Sequence, residues 1–260
     1  MAAVLVTGAS SGIGWATAQA LAHRGWEVFA GTRSTAPPGT TPIELDVTQP
    51  VEHLKALNLH ALVNNAGIAV IGPLEYLPLD EIRRQLEVNT IGQLSVIQAC
   101  LPALRANRGR IVNVSSISGR VALPLFGPYA ASKFAFEALT DSLRREQREV
   151  QVSLIEPGSI ATPIWSRTLE EADALWDAMP PEAHERHGEL VATLRAIARK
   201  APQEGTPPER VVDAILHALN ARRPRTRYVV GREARIQAAL ARALPTPAFD
   251  RIIEILLNNR

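Results

Sequence analysis

Short, almost wholly apolar runs rich in β-branched residues alternate along this chain with longer stretches of helical period. The strand-like runs are AVLVT (3–7), EVFAG (27–31), PIEL (42–45), ALVN (61–64), RIVNVS (110–115), VQVSLI (150–155) and RYVVG (227–231). Most lack the apolar–polar alternation of a half-exposed strand, as expected where helices cover both faces of a parallel sheet. The helical stretches are 12–24, 79–106, 128–147 and 207–221. This order predicts an α/β architecture, a doubly wound sheet of seven parallel strands in a single domain, 1–260. Two windows break the rhythm. Residues 33–41 (RSTAPPGTT) hold two prolines and a glycine, and no full helix fits there. Residues 163–206 are long and mixed, with Trp165, Leu169, Leu175, Trp176 and Met179 among many charges. They read as a substrate lid, or equally as helices packed on themselves.

Composition narrows the class. The 260 residues are 46% hydrophobic and 21% charged, and mean hydropathy is near zero. That excludes a disordered chain, a collagen and a membrane bundle. No apolar stretch reaches the roughly 18 residues of a membrane span. MAAVLVTG has no basic residues ahead of its apolar run, so no cleaved signal peptide is expected. The one cysteine, Cys100, excludes an internal disulfide framework and fits the reducing cytoplasm. It sits in LSVIQACLPAL and reads as a buried small hydrophobe. A net charge of +2 is too small to predict nucleic-acid binding. Of 28 basic residues only Lys55, Lys133 and Lys200 are lysine, and the tyrosines are only Tyr76, Tyr129 and Tyr228. Residues 206–260 carry ten arginines against five acids, which reads as a solvated or subunit-facing surface.

The first strand runs directly into TGASSGIG (7–14), with a helix behind it. Gly8, Gly12 and Gly14 permit a tight turn and close backbone approach, so the free N–H groups of the following helix can face a pyrophosphate. A P-loop is excluded because no Gly-Lys-Ser/Thr follows. The end of the second strand, where an acid would accept from an adenosine 2′-hydroxyl, reads Gly31-Thr32-Arg33-Ser34. With no acid there, and with Arg33 able to pair with a 2′-phosphate, NADP(H) is expected over NAD(H).

Only one tyrosine–lysine pair lies within a helical turn, Tyr129 and Lys133. Four residues turn a helix by about 400° and advance it ~6 Å, so the two share a face. An ammonium beside a phenol stabilises the phenolate, so the Tyr129 pKa is expected to fall toward neutrality and the group to exchange protons. On spacing alone, an exposed pair without function is the better reading.

The surroundings of this pair resemble a known family. TGASSGIG (7–14), Asp46-Val47, NNAG (64–67), Asn89 in VNTIG, NVSS (113–116), YAASK (129–133) and EPGSIAT (156–162) stand in the order and spacing of the short-chain dehydrogenase/reductase family, over residues 3–165. RYVVG and the helices after it resemble the family's steroid- and retinol-dehydrogenase-like branch. The resemblance implies a Rossmann-type fold with Asn89, Ser116, Tyr129 and Lys133 as the catalytic set. Tyr129 would exchange a proton with the substrate oxygen, and Lys133 would lower its pKa and bond the nicotinamide ribose. Ser116, preferred to Ser115 on family spacing, would orient the substrate, and Asn89 would hold a water linked to the lysine. For the cofactor, the resemblance implies Gly8, Ser10, Ser11, Gly12, Ile13 and Gly14 at the phosphates, and Asp46 and Val47 at the adenine. Asn65, Ala66 and Gly67 would line the adenosine side, with Pro157, Gly158, Ile160 and Thr162 at the carboxamide.

The departures are the short 33–41 and 50–60 connections and His60, where relatives carry an acid. His60 is expected to alter local hydrogen bonding only. His184 and His187, beside Glu182 and Glu185, allow a metal by spacing but read as a solvated helix, so no metal is expected. Tyr228 reads as a packing residue. The expectation is an NADP(H)-dependent oxidoreductase acting on an apolar carbonyl or alcohol, cytoplasmic, and a homodimer or homotetramer. The alternatives are an isomerase or dehydratase on the same scaffold, or an NADP(H) sensor without turnover.

Overall fold

The computed structural model describes residues 1–162 and 164–258, without the side chains of 164–167, 201–202 and 258. The Trp165 side chain therefore lies outside the described residues. Seven strands form one sheet: β1 (Ala3–Thr7), β2 (Glu27–Thr32), β3 (Thr41–Glu44), β4 (Ala61–Asn64), β5 (Arg110–Val114), β6 (Gln151–Pro157) and β7 (Arg227–Val230). Their order is β3-β2-β1-β4-β5-β6-β7, and every pairing is parallel. The helices are α1 (Gly12–Ala22), α2 (Leu79–Leu86), α3 (Gly92–Ala106), α4 (Gly127–Glu146), α5 (Ile164–Asp177), α6 (Pro181–Glu204), α7 (Pro208–Asn220), α8 (Arg232–Ala243) and α9 (Thr246–Asn258). This is the doubly wound sheet that the apolar runs predict.

Alternate residues of each strand feed two cores, because successive side chains point to opposite faces. Val4, Val6, Val63, Val112 and Ile155 join Leu21 of α1 and Ile215 of α7 on one face. Leu5, Leu62, Ile111 and Val152 join Val96, Cys100 and Leu104 of α3 and Phe136 of α4 on the other. Cys100 is thus the small hydrophobe expected, and burial pushes its thiol pKa up to about 12. A third cluster lies apart from the sheet. Trp176, Met179, Val191 and Leu194 of the α5–α6 region pack on Val70, Leu77 and Leu125.

Several boundaries differ from the sequence reading. The 79–106 stretch is not one α-helix but α2 and α3 joined by a π-turn at Glu87–Ile91. The 33–41 and 50–60 connections, by contrast, follow the sequence reading: they hold no α-helix, only a 3-10 helix at Glu52–Ala56. Ile236 of α8 and Ile255 and Leu256 of α9 stay exposed. The His60 imidazole accepts the Ala3 N–H at 3.3 Å, closing the start of β1 onto β4. Tyr228 is a packing residue with an engaged hydroxyl, which bonds His217 at 2.8 Å and accepts the Arg225 N–H at 2.9 Å.

Phe136 is the largest of the fully buried side chains and joins α4 to the sheet. Phe136→Ala is expected to cost about 3–5 kcal/mol, read as a lower urea midpoint at unchanged slope.

Candidate active site

The strand order reverses beside β1, whose neighbours β2 and β4 lead the chain in opposite directions. Such a reversal opens a crevice at the carboxyl ends of the strands. The residues singled out from sequence gather along it.

The glycine turn leaves β1 at Thr7. Gly8 has φ +65°, and a Cβ there would stand 2.8 Å from the Ala66 Cα. A Cβ on Gly14 would collide with the Gly8 carbonyl oxygen. The turn therefore closes only with glycine at these places. Thr7 ties it to the β4 loop, because its hydroxyl oxygen accepts from Asn65 N–H at 2.8 Å and Ala66 N–H at 2.9 Å. Asn65 Nδ2 donates back to the Thr7 carbonyl at 3.0 Å. α1 begins with no side-chain cap on Ser11, so its first N–H groups point out uncapped. Thr162 arrives from the far side of the crevice and lies against Gly12.

At the end of β2, Thr32 Oγ1 accepts from Ser34 N–H at 3.0 Å and donates to the Thr35 carbonyl at 3.1 Å, which sets the turn that carries Arg33. Arg33 is exposed and 3.5 Å from Asp46. Asp46 also accepts from the Thr48 backbone N–H at 3.0 Å and hydroxyl at 2.7 Å. These bonds, with Arg33, hold its carboxyl below the usual carboxylate range. Val47 is buried, its carbonyl against Gly92.

The other end of the crevice is built on α4. Tyr129 is half-buried and Lys133 buried on one face of that helix. Ser116 lies within hydrogen-bond reach of the Tyr129 hydroxyl, whereas Ser115 Oγ donates to Glu137 at 3.0 Å. The two serines thus point to different partners. The Lys133 ammonium donates to the Val114 carbonyl at 3.0 Å and stands 5.8 Å from the Tyr129 ring centroid. Burial lowers the Lys133 pKa to about 8, against the opposing charge of Glu137. Burial also raises the Tyr129 pKa, against the Ser116 bond. The lowered phenol pKa expected from sequence is therefore corrected. The ammonium is turned to a backbone carbonyl, and desolvation of the phenolate wins.

Asn89 sits fully buried in the π-turn. It donates to the Ile68 carbonyl at 2.9 Å and Ser132 Oγ at 3.2 Å, and accepts from Ile68 N–H at 2.9 Å. Gln85, one turn earlier, accepts from Val70 N–H at 2.6 Å and donates to the Ile68 carbonyl and Ser132 Oγ. Gln93, one turn later, donates to the Ala66 carbonyl at 2.7 Å, next to Gly67. Ser132 Oγ closes the set on the Tyr129 carbonyl at 2.7 Å. Thr7, Gln85, Gln93 and Ser132 were missed from sequence. The signal for two of them was legible, because buried amides recur every fourth residue at 85, 89 and 93.

Pro157–Thr162 follows β6. Gly158 N–H donates to the Val230 carbonyl, and Ile160 pairs with Thr206. Beyond it, a cavity of about 40 Å³ is lined by Leu125, Phe126, Leu169, Trp176 and Met179 among others. The sequence-flagged histidines have separate partners. His184 packs on Trp176 at 4.4 Å, and His187 pairs with Glu75 at 3.5 Å.

Comparison with known proteins agrees in its outline. The family model for "short chain dehydrogenase" matches residues 2–173. The chain is 36% identical to mouse (Mus musculus) retinol dehydrogenase 5, covering 98% of this chain and 88% of that one. It is also 36% identical to 3-amino-tetrahydro-pyrrolizinone reductase of Xenorhabdus hominickii, covering 97% and 94%. Among solved structures, a Burkholderia cenocepacia short-chain dehydrogenase in complex with NADP superposes with TM-score 0.74, at 30% identity and 96% coverage of both chains.

Thr7→Val would strand the Asn65 and Ala66 N–H groups, whereas Thr7→Ser keeps their acceptor. The valine variant is expected to be less stable than the serine variant by about 1–3 kcal/mol in urea unfolding.

Proposed function

The chain belongs to the short-chain dehydrogenase family and is an oxidoreductase of it; from that premise we propose that it interconverts an apolar carbonyl and its alcohol with NADP(H), using Tyr129 as proton donor and acceptor. The observation that carries this reading is the meeting of Ser116, Tyr129 and Lys133 at one end of a crevice whose other end is the glycine turn.

The residues present fit a dinucleotide. The glycine turn leaves no room for a Cβ at Gly8 or Gly14, and the uncapped start of α1 offers donors and a positive dipole end to a pyrophosphate. In this reading Gly8, Ser10, Ser11, Gly12, Ile13 and Gly14 hold the phosphates, and Asp46, Val47 and Asn65–Gly67 hold the adenosine. Pro157, Gly158, Ile160 and Thr162 hold the nicotinamide end. Arg33, exposed and without an acid at position 32, takes the 2′-phosphate, and Asp46 releases it from a loose 3.5 Å pair. The NADP bound in the Burkholderia relative supports this choice.

Bound cofactor supplies or accepts the hydride. The chain does the rest. Ser116 and Tyr129 present two hydroxyls to one substrate oxygen, which orients the carbonyl and stabilises charge developing on it. The Tyr129 hydroxyl gives its proton to that oxygen in reduction and takes it back in oxidation. Lys133 stands as the cation behind the phenol, held by Val114. Asn89, through Ser132, fixes the helix turn that carries Tyr129. The α5–α6 segment acts as a lid, and its apolar lining at Leu169, Trp176 and Met179 supports an apolar substrate, as does the retinol named for the mouse relative. The reading extends to a cytoplasmic homodimer or homotetramer, supported by buried free Cys100 and by Ile91, Phe134 and Leu139 exposed around α3 and α4. Among the described residues no helix is long and apolar enough to cross a membrane.

Three measurements test the proposal. Loss of NADPH absorbance with a ketone and aldehyde panel should reveal turnover, and Tyr129→Phe should abolish it while NADPH binding by fluorescence persists. Near-normal turnover in that variant would remove Tyr129 from the chemistry. Thr32→Asp should shift preference toward NADH, and an unmoved preference counts against the Arg33 assignment. Lys133 is charged below about 8 and neutral above it. Because the cation is the working form, kcat/KM for reduction should fall as pH rises through that value.

A further inference from the structure

Beneath the crevice lies a second charged cluster that the chemistry above does not use. Glu156, the residue before Pro157, is fully buried, and Glu137, one helical turn past Lys133, nearly so. Arg227, the first residue of β7, reaches both carboxylates through one nitrogen at 2.6 Å each, and Asp141 through another at 2.9 Å. Arg120 grips Glu156 from the other side, Nε to Oε2 at 2.6 Å. The remaining Glu137 oxygen accepts from Ser115 at 3.0 Å. Gly119 passes so close that a Cβ on it would collide with the Glu137 carboxylate.

Stability alone does not account for such a cluster. Desolvating paired charges costs several kcal/mol per ion, and apolar replacements of similar volume often hold as well. What apolar side chains would not provide is a fixed geometry. A guanidinium presents its donors in a rigid planar fork, so three carboxylates on it have set distances and angles. Those carboxylates belong to the α4 face that carries Tyr129 and Lys133 and to the end of β6 that leads into Pro157 and Gly158. Through Ser115 and Arg120, the turn that carries Ser116 joins the same cluster.

We propose that Arg227, outside the crevice, is a positioning residue: it clamps Glu137 to Glu156 and so sets the Tyr129–Lys133 face of α4 against the Ser116 turn and the Pro157–Gly158 loop. This rests on the oxidoreductase reading of the crevice. Glu137 has a second part in it, as the carboxylate one turn from Lys133 whose charge favours the ammonium.

The test uses the full chain with NADPH and a carbonyl substrate on which the parent is active. Arg227→Met should lower kcat by about a hundredfold, the scale of an ångström-sized misplacement, with a much smaller loss of NADPH affinity because the glycine turn is untouched. Arg227→Lys should recover part of the loss, since an ammonium keeps the charge but lacks the fork. Should Arg227→Met fail to fold, Arg227→Lys and Glu137→Gln carry the test. Parent-like kcat in the folded variants overturns the proposal, as does a loss that merely follows the folded fraction. A second readout needs no turnover. With three lysines in the chain, ε-13C-lysine NMR gives three signals. Glu137→Gln, and Arg227→Lys with a fourth signal of its own, should shift that of Lys133 and leave Lys55 and Lys200 in place. An unmoved Lys133 signal overturns the proposal. A Lys133 signal moved by Arg227→Lys in a protein that reduces no carbonyl upholds the clamp and overturns the oxidoreductase reading.

Discussion

A parallel sheet that winds both ways from β1 must leave a gap where its two halves part, and the site is arranged along that gap. Strands on either side end there in polar residues: Thr7, Thr32, Asn64 and the serines after β5. Each end is a place where backbone N–H and C=O groups leave the sheet ladder and need other partners. The Thr7 hydroxyl satisfies two of them at once and joins the glycine turn to the loop after β4. Asn65 Nδ2 completes that closure by donating to the Thr7 carbonyl at 3.0 Å.

The same requirement explains the amides on the α2–α3 helix. Gln85, Asn89 and Gln93 lie on one buried face and satisfy the backbone of residues 66–70, a segment that belongs to no strand. Unpaired, those groups would each cost a desolvation penalty in the interior. The π-turn at 87–91 lies within this stretch, and π-turns gather at functional sites. Lys133 experiences the opposite balance. It is buried with one carbonyl bond and a nearby carboxylate, and desolvation depresses its pKa. A lysine in that state is close to losing its proton near neutrality, which suits proton chemistry more than it suits stability.

Much of the site was legible in the sequence. The glycine turn could be read because glycine adopts positive φ without strain and alone lacks the Cβ that would block so close an approach of backbone to backbone. Tyr129 and Lys133 stood out because each belongs to a residue type used three times in the chain. The direction of the Tyr129 pKa was not legible. It depends on where the Lys133 ammonium points and on how much solvent the phenol keeps, and neither follows from helical spacing. The choice between Ser115 and Ser116, left to family spacing in the sequence, has a local basis in the structure. One hydroxyl faces Glu137 and its neighbour faces Tyr129, because adjacent residues leaving a strand point to opposite sides.

The sequence by itself determined the sheet, the glycine turn and the helical pairing of Tyr129 with Lys133. All three follow from local rules: apolar periodicity, backbone permissiveness and the pitch of a helix. Only the tertiary structure decided the partners of the buried charges. Arg227 lies ninety residues from Glu137 and Arg120 thirty-six from Glu156, and no local pattern distinguishes these arginines from the twenty-three others. Their meeting depends on β6 and β7 pairing side by side at one edge of the sheet and on α4 crossing beneath them. Long-range packing of that kind is set by the whole fold and leaves no local signal in the sequence.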